Sequence, residues 1–397
     1  MSLPPPSDPY GPPPQGGGQP GGGVPSWGGQ QPGFGGQYGQ PPQGQPGGPG
    51  GPPPWGQQPQ WSRPPGPPPG RGGRGKWILG GLAVVLAIAL AVVITVLVVR
   101  PSGSGPTPTP TNGHSDFASA GDDGPVNIIT EDPTCEAWAK ISLEYADKAK
   151  TVNWEGHDAT VPASAWTSEQ RTMYETVGDA MTRAADQTGN LLKLTPHRVM
   201  RELYGQFIAY TRTFVERIPS YVATDDNVAV TSDAAGNGLV SVCAAIDFRA
   251  AQAVAPLVSQ PTGPSSISSP EDPSMPVRFL PTPNRMCPEF DALVTKFSDD
   301  TEAWRAIDPN IPSTEWTPDQ RSTYVGVASV MSTNADEMER LGRQSGNPTL
   351  EDVAVLAAQY RRAFVTAIPS YSSADNYLAA AAASFVRLVN WGCKAAA

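Results

Sequence analysis

The C-terminal part of this chain is written twice, and that repeat limits its architecture more than any other feature. Trp166-Thr167-x-x-Gln170-Arg171-x-x-Tyr174 recurs as Trp316-Thr317-x-x-Gln320-Arg321-x-x-Tyr324. Tyr210-x-x-x-Phe214 recurs as Tyr360-x-x-x-Phe364, and Ile218-Pro219-Ser220-Tyr221 as Ile368-Pro369-Ser370-Tyr371. Trp154 matches Trp304, Pro162 matches Pro312 and Cys243 matches Cys393, all at an offset of 150 residues. One fixed offset across so many rare residues is the signature of a duplicated structural unit. The copies cover 133–250 and 286–397, and a Pro/Ser-rich segment, 251–285, reads as the linker between them.

Each copy reads as four helices. Phe290, Leu293, Val294 and Phe297 form a helical stripe, matched in the first copy by Trp138, Ile141 and Tyr145. The second helix opens on a capping box, with Thr167 or Thr317 as N-cap and Gln170 or Gln320 three residues on. Its apolar stripe runs Tyr324, Val327, Met331, Ala335, Met338. The third helix carries Val353, Leu356, Tyr360 and Phe364 and stops near Pro369. The fourth runs from about Ser373 to Cys393. No run alternates as a half-buried strand would, so the expected class is all-α: two tandem four-helix bundles.

Each copy holds two cysteines, one at the start of the first helix and one near the end of the fourth. An up-down-up-down bundle brings those ends to the same pole. Of the three possible connectivities we expect Cys135–Cys243 and Cys287–Cys393.

Trp77 to Val99 is a different kind of segment: 23 residues without a charge. As a helix it would extend roughly 34 Å, enough to cross a bilayer core. Arg63, Arg71, Arg74 and Lys76 precede it, whereas after Arg100 no Lys or Arg occurs until Lys140. The expected topology is therefore a single pass through the plasma membrane at residues 77–99, with the N-terminus cytoplasmic and the C-terminal domain extracytoplasmic. Disulfides fit that compartment. Residues 1–76 are rich in Pro, Gly and Gln and are expected to stay disordered, with isolated aromatics and polyproline stretches as docking points for a cytoplasmic protein partner. Residues 100–132, with alternating Pro and Thr from Pro106 to Thr111, read as a stalk. From Pro101 onward there are 22 basic and 36 acidic residues, a net of −14. That charge argues against nucleic acid as a ligand.

The layout resembles the proline-rich, single-pass membrane proteins of mycobacteria and related actinobacteria. The Gly/Pro/Gln tail, the Arg-flanked anchor, the Thr-Pro stalk and the Ala-rich ectodomain carry the resemblance. It implies a place in the cell envelope and attaches no activity.

The chemistry-bearing residues are sparse. His114, His157 and His197 have no ligand partner at metal spacing, and there is no nucleophile elbow and no phosphate-cradling glycine loop. No metal or cofactor is expected. Asp225-Asp226 and Asp299-Asp300 are the densest acids and read as solvated loop or helix-end residues. Trp166, Tyr221, Trp316 and Tyr371 lie in loops or at helix ends. They either line an aromatic groove for an envelope ligand or plug the bundle ends. The expectation is a non-enzymatic binding or scaffold protein of the envelope. A carboxylate-based cell-wall enzyme and a structural spacer without specific ligand are the alternatives.

Overall fold

The computed structural model describes residues 117–269, 272 and 274–397. The tail (1–76), the apolar run 77–99 and the stalk as far as residue 116 lie outside the described residues. Among the described residues the chain is all-α, with ten α-helices. The first copy contains α1 (Cys135–Thr151), α2 (Ser168–Leu194), α3 (Arg198–Arg217) and α4 (Asp226–Asp247). A short α5 (Ala250–Val254) follows. The second copy contains α6 (Cys287–Asp300), a one-turn α7 (Glu302–Arg305), α8 (Pro318–Gln344), α9 (Pro348–Ala367) and α10 (Asn376–Ala396).

Local sequence sets these boundaries. Thr167 Oγ1 accepts from the Gln170 N–H at 3.2 Å while Gln170 Oε1 accepts from the Thr167 N–H, and Thr317 and Gln320 do the same. Both capping boxes are thus formed as read. Pro318 and Pro348 occupy the first turns of α8 and α9, where a missing N–H costs nothing. The third helix of each copy ends in a 3₁₀ turn, Ile218–Ser220 or Ile368–Ser370.

Within each copy successive helices pack as neighbours and the fourth returns to the first, closing a four-helix bundle. Cys135 is bonded to Cys243 and Cys287 to Cys393, with Cα separations of 5.3 and 5.6 Å. The pairing is the one the repeat implies, because the even helix count puts the two cysteines of a copy at one pole.

The bundles are not beads on a string. The most extensive helix pair in the molecule is α4 against α10, the fourth helix of each copy. They run antiparallel: Asn227 Nδ2 near the start of α4 donates to the Lys394 carbonyl near the end of α10, and Phe248 after α4 stacks on Tyr377 at the start of α10 (5.1 Å, 12°). One continuous hydrophobic core therefore spans both copies. Its centre is marked by α3 and α9, with 15 and 16 of their 20 residues buried, as expected of helices lacking a broad solvent face. The stretch Ala223–Asp247, which includes α4, is long and apolar enough to cross a membrane, yet 72% of its most apolar 18-residue window is buried inside the protein. It is a core helix.

The close approach of α4 and α10 rests on unequal side chains at equivalent positions. Phe385 of α10 corresponds to Ala235 of α4, and Leu388 corresponds to Gly238. Large residues on one helix thus meet small ones on the other. A Cβ on Gly238 would lie 2.5 Å from Phe385 Cε1 and 2.9 Å from Cδ1. Gly238→Ala is expected to destabilise the protein by about 1–3 kcal/mol through overpacking, whereas the same change at exposed Gly326, with no neighbour within 4 Å, should not. Urea unfolding of the two variants checks this, and Phe385→Leu should recover part of the Gly238→Ala loss.

Two segments read as spacers are built into this body. Val126, Ile128 and Ile129, from the end of the expected stalk, are buried in the shared core. From the expected linker, Ala251, Val254, Phe279 and Leu280 are buried too. Gln206 of α3 holds the second strap at both backbone polarities, donating to the Val277 carbonyl (3.1 Å) and accepting from the Phe279 N–H (2.7 Å). Asn347 of the second copy takes the Phe279 carbonyl at 2.6 Å. Proline keeps these segments out of helices, and their spaced apolar residues still find the core.

Arg198, 1% exposed, ties the copies together electrostatically. It donates to both carboxylate oxygens of Asp352 on α9, at 2.6 and 3.2 Å, and to the backbone carbonyls of Asp122 and Gly124. A charge so deeply buried is tolerated only when its donors are satisfied in this way.

Candidate functional site

The repeated motif builds the same object twice. In the first copy Trp166 stacks on Tyr174 (centroids 3.9 Å, 23°), and Tyr221, Phe214 and Trp154 close around them. In the second copy Trp316 stacks on Tyr324 (3.8 Å, 14°) beside Tyr371, with Phe364 and Trp304 adjoining. Trp166 Nε1 donates to the Val161 carbonyl and Trp316 Nε1 to the Ile311 carbonyl, each at 2.9 Å. Tyr221 and Tyr371 hydroxyls donate to the Ala159 and Pro309 carbonyls. Arg171 and Arg321 lie 5.9 and 5.8 Å from the tryptophan rings and donate to the Ala163 and Ser313 carbonyls. Every fixed residue of the motif is thus a structural part: a cap, a ring or a loop anchor.

The four aromatics considered for a groove are packed into these plugs. Trp166, Trp316, Tyr221 and Tyr371 are 9, 7, 1 and 1% exposed. Their ring faces meet one another rather than solvent, because the loop before the second helix folds over them and takes their N–H and O–H groups. Of the two structural roles open to them, the geometry is that of the plug.

Three of the four acids singled out in the sequence, Asp225, Asp226 and Asp300, also have side-chain partners. The second residue of the fourth-helix entry repeats at the common offset: Asp225 accepts from the Val222 N–H and Asp375 from the Ser372 N–H, at 3.0 and 2.7 Å. Asp225 thus corresponds to Asp375 at the common offset of 150. Asp226 instead meets His157 Nε2 at 3.2 Å. His157 stacks flat on Trp154 (3.9 Å, 3°). Burial disfavours its cation, but the bonds to Asp226 and to the Trp154 carbonyl outweigh that and raise its pKa. Asp300 pairs with exposed Lys296. His197 reaches the Glu131 carbonyl, and His114 lies outside the described residues.

The copies differ at the centre of the bundle. In copy two the inward faces of four helices enclose a cavity of ≈ 20 Å³ that opens to solvent. Its apolar wall comes from Phe290, Leu293, Val294 and Phe297 of α6, with Met338 of α8 and Val386 of α10. Its polar lining is Asn334 of α8, Arg361 of α9, and Arg387 and Asn390 of α10. Arg361 lies 3.8 Å over the Phe297 ring and hydrogen-bonds Asn334, so its guanidinium plane is fixed. The first copy has Ala184, Thr211 and Val240 at the positions of Asn334, Arg361 and Asn390. There Trp138, 1% exposed, packs edge-on to Tyr204 and Phe207, and a smaller cavity of ≈ 10 Å³ beside Ala184 is lined by Ile141, Tyr145 and the charged Glu144, Lys148 and Arg183. Sequence reasoning missed this site. Superposing the copies at an offset of 150 would have exposed it, since Arg361 and Asn334 are polar where the stripe is otherwise small or apolar.

Among the described residues no group of His, Cys, Asp and Glu is placed to hold a metal ion. The model of the mycobacterial ESX-1 associated proteins matches residues 117–397, which is the whole of the folded body. The chain belongs to that family. An uncharacterised protein of Mycolicibacterium smegmatis is 41% identical over 344 residues, covering 85% of this chain and 91% of the relative. No solved structure matches. The family match starts at Phe117, where the described fold also begins, so the packed residues 117–132 belong to the domain rather than to a stalk.

Proposed function

We propose that this protein is a membrane-anchored, extracytoplasmic binding module of the cell envelope that acts as a scaffold rather than an enzyme. The apolar run 77–99 with its basic flank supports the anchor and its orientation, and two disulfides support an oxidising compartment for the folded body. The Pro-rich tail would offer a cytoplasmic docking segment. Asp225, Asp226 and Asp300 are engaged in helix entry and ion pairs, which favours a binding role.

The copy-two cavity carries the binding part of this reading. It combines apolar walls with two guanidinium groups and two amides, whereas the first copy has Ala184, Thr211 and Val240 at the positions of Asn334, Arg361 and Asn390. A cavity this narrow takes the tip of one side chain, not a free acyl chain. The occupant that fits is a protein segment presenting one apolar side chain flanked by carboxylates, which Arg361 and Arg387 would favour.

The probe is the peptide acetyl-Glu-Leu-Glu-amide, added to full-length protein in micelles carrying ¹³C-methyl methionine. We expect a saturable shift of the Met338 methyl resonance. Arg387→Gln should weaken binding by about tenfold, the loss of one charge-assisted contact. The matched peptide with Gly for Leu should leave Met338 unmoved. A shift insensitive to Arg387→Gln, or none at all, removes the cavity as the binding site.

A further inference from the structure

Equivalent positions of the two copies meet at the seam between α3 and α9. Glu202 and Asp352 are related by the offset of 150 on helices that pack together; Arg198, one turn before Glu202 on α3, donates to Asp352, and the two carboxyls influence one another across the seam. Both are buried, 7 and 0% exposed. Asp352 already receives Arg198 on both oxygens. Neither carboxylate oxygen of Glu202 accepts a hydrogen bond from a donor among the described residues. An ionised Glu202 there would be a buried, unsatisfied anion beside another anion, a costly arrangement. A protonated Glu202 is a donor, and Asp352 is the acceptor next to it.

We propose that Glu202 and Asp352 share one proton across the seam, forming an acid–carboxylate clasp that joins the two copies and loosens when that proton is lost. The charged groups facing the clasp are Arg198 and Arg201 from α3, Glu351 beside Asp352 on α9, and Asp122 from the segment before α1. Arg201 is turned aside, donating to Ser119 Oγ and to the Ser268 carbonyl, and Glu351 is taken by Ser265 and Arg343. Arg198 therefore serves Asp352, and the proton serves Glu202. Burial first, then the negative Asp352, hold the Glu202 carboxyl well above the usual carboxylate range. A pKa raised in the folded state means the folded protein binds the proton more tightly than the unfolded chain. The clasp thus contributes in full below the unfolded glutamate pKa, and its contribution falls as pH rises from there through the folded pKa.

The decisive comparison is Glu202→Gln against the natural sequence, full chain in micelles, by thermal unfolding from pH 5 to pH 8. Glutamine keeps the donor at every pH. The Tm of Glu202→Gln minus that of the natural chain should therefore grow with pH, by at least about 2 °C across the range. His157, its pKa raised by Asp226 and the Trp154 carbonyl against the cost of burial, and Asp233, pushed up to about 6 by burial, are common to both proteins and cancel in the difference. A difference that stays constant with pH overturns the proposal and leaves Glu202 as packing only. Infrared spectroscopy of an Asp233→Asn chain, which removes the other buried carboxyl with a raised pKa, tests it independently of how the Glu202 variant folds. The clasp requires a buried protonated-carboxyl band at pH 5 that fades as pH rises, and its absence would also overturn the proposal.

Discussion

Replacing Cys135 and Cys243 together by alanine is expected to lower the unfolding free energy by roughly 4–5 kcal/mol on the chain-entropy model. The bridges close loops of 108 and 106 residues, so each removes much of the freedom of its copy in the unfolded chain. The Cys287/Cys393 double replacement should cost about the same. Because α4 and α10 share one core, the loss in either copy should appear in a single transition for the whole body, not as the melting of one half. Urea titration of each double variant, fitted for midpoint and slope, checks both the size and the unity of the effect. Loss confined to a partial transition in the mutated copy would show that the seam does not couple the copies.

Asp352→Ala should cost about 3–5 kcal/mol, the range for removing one partner of a buried ion pair. Arg198 would then keep its charge 1% exposed with two backbone carbonyls as hydrogen-bond acceptors and only the more distant Asp122 carboxylate, at 4.0 Å, as counter-ion. The cost comes from the guanidinium left behind rather than from the lost bond alone. It follows that Arg198→Met combined with Asp352→Leu should be far less destabilised than the sum of the two single changes. A double-mutant cycle measures this directly, and additive losses would mean the two residues do not act as a pair.

Much of the fold was legible in the sequence, for identifiable reasons. The offset of 150 revealed the duplication because its markers, Trp166/Trp316 and Tyr221/Tyr371, are rare residues in unique structural jobs. The capping boxes and the disulfide pairing followed from local rules and an even helix count. What stayed hidden depends on tertiary contact. Val126, Ile128 and Ile129 sit in a Pro-containing extended segment whose local pattern gives no hint that α-helices wait to cover them. Gly238 opposite Phe385 is visible as a size complementarity only once α4 and α10 are known to cross. Nothing local to Arg198 or Asp352 marks them as buried, although α9 is apolar around most of its circumference from Val353 to Ala358, which is the signal of a central helix. The aromatic plugs were ambiguous because loop aromatics serve cores and ligands alike, and only their exposure separates the two.

The two copies form one cooperative body locked along α4–α10 and α3–α9. Differential scanning calorimetry of the full-length chain tests this most directly. A single heat-absorption peak whose calorimetric enthalpy equals its van't Hoff enthalpy is the expected result. Two separable transitions, or a calorimetric enthalpy near twice the van't Hoff value, would mean that the copies unfold independently and that the seam holds nothing together.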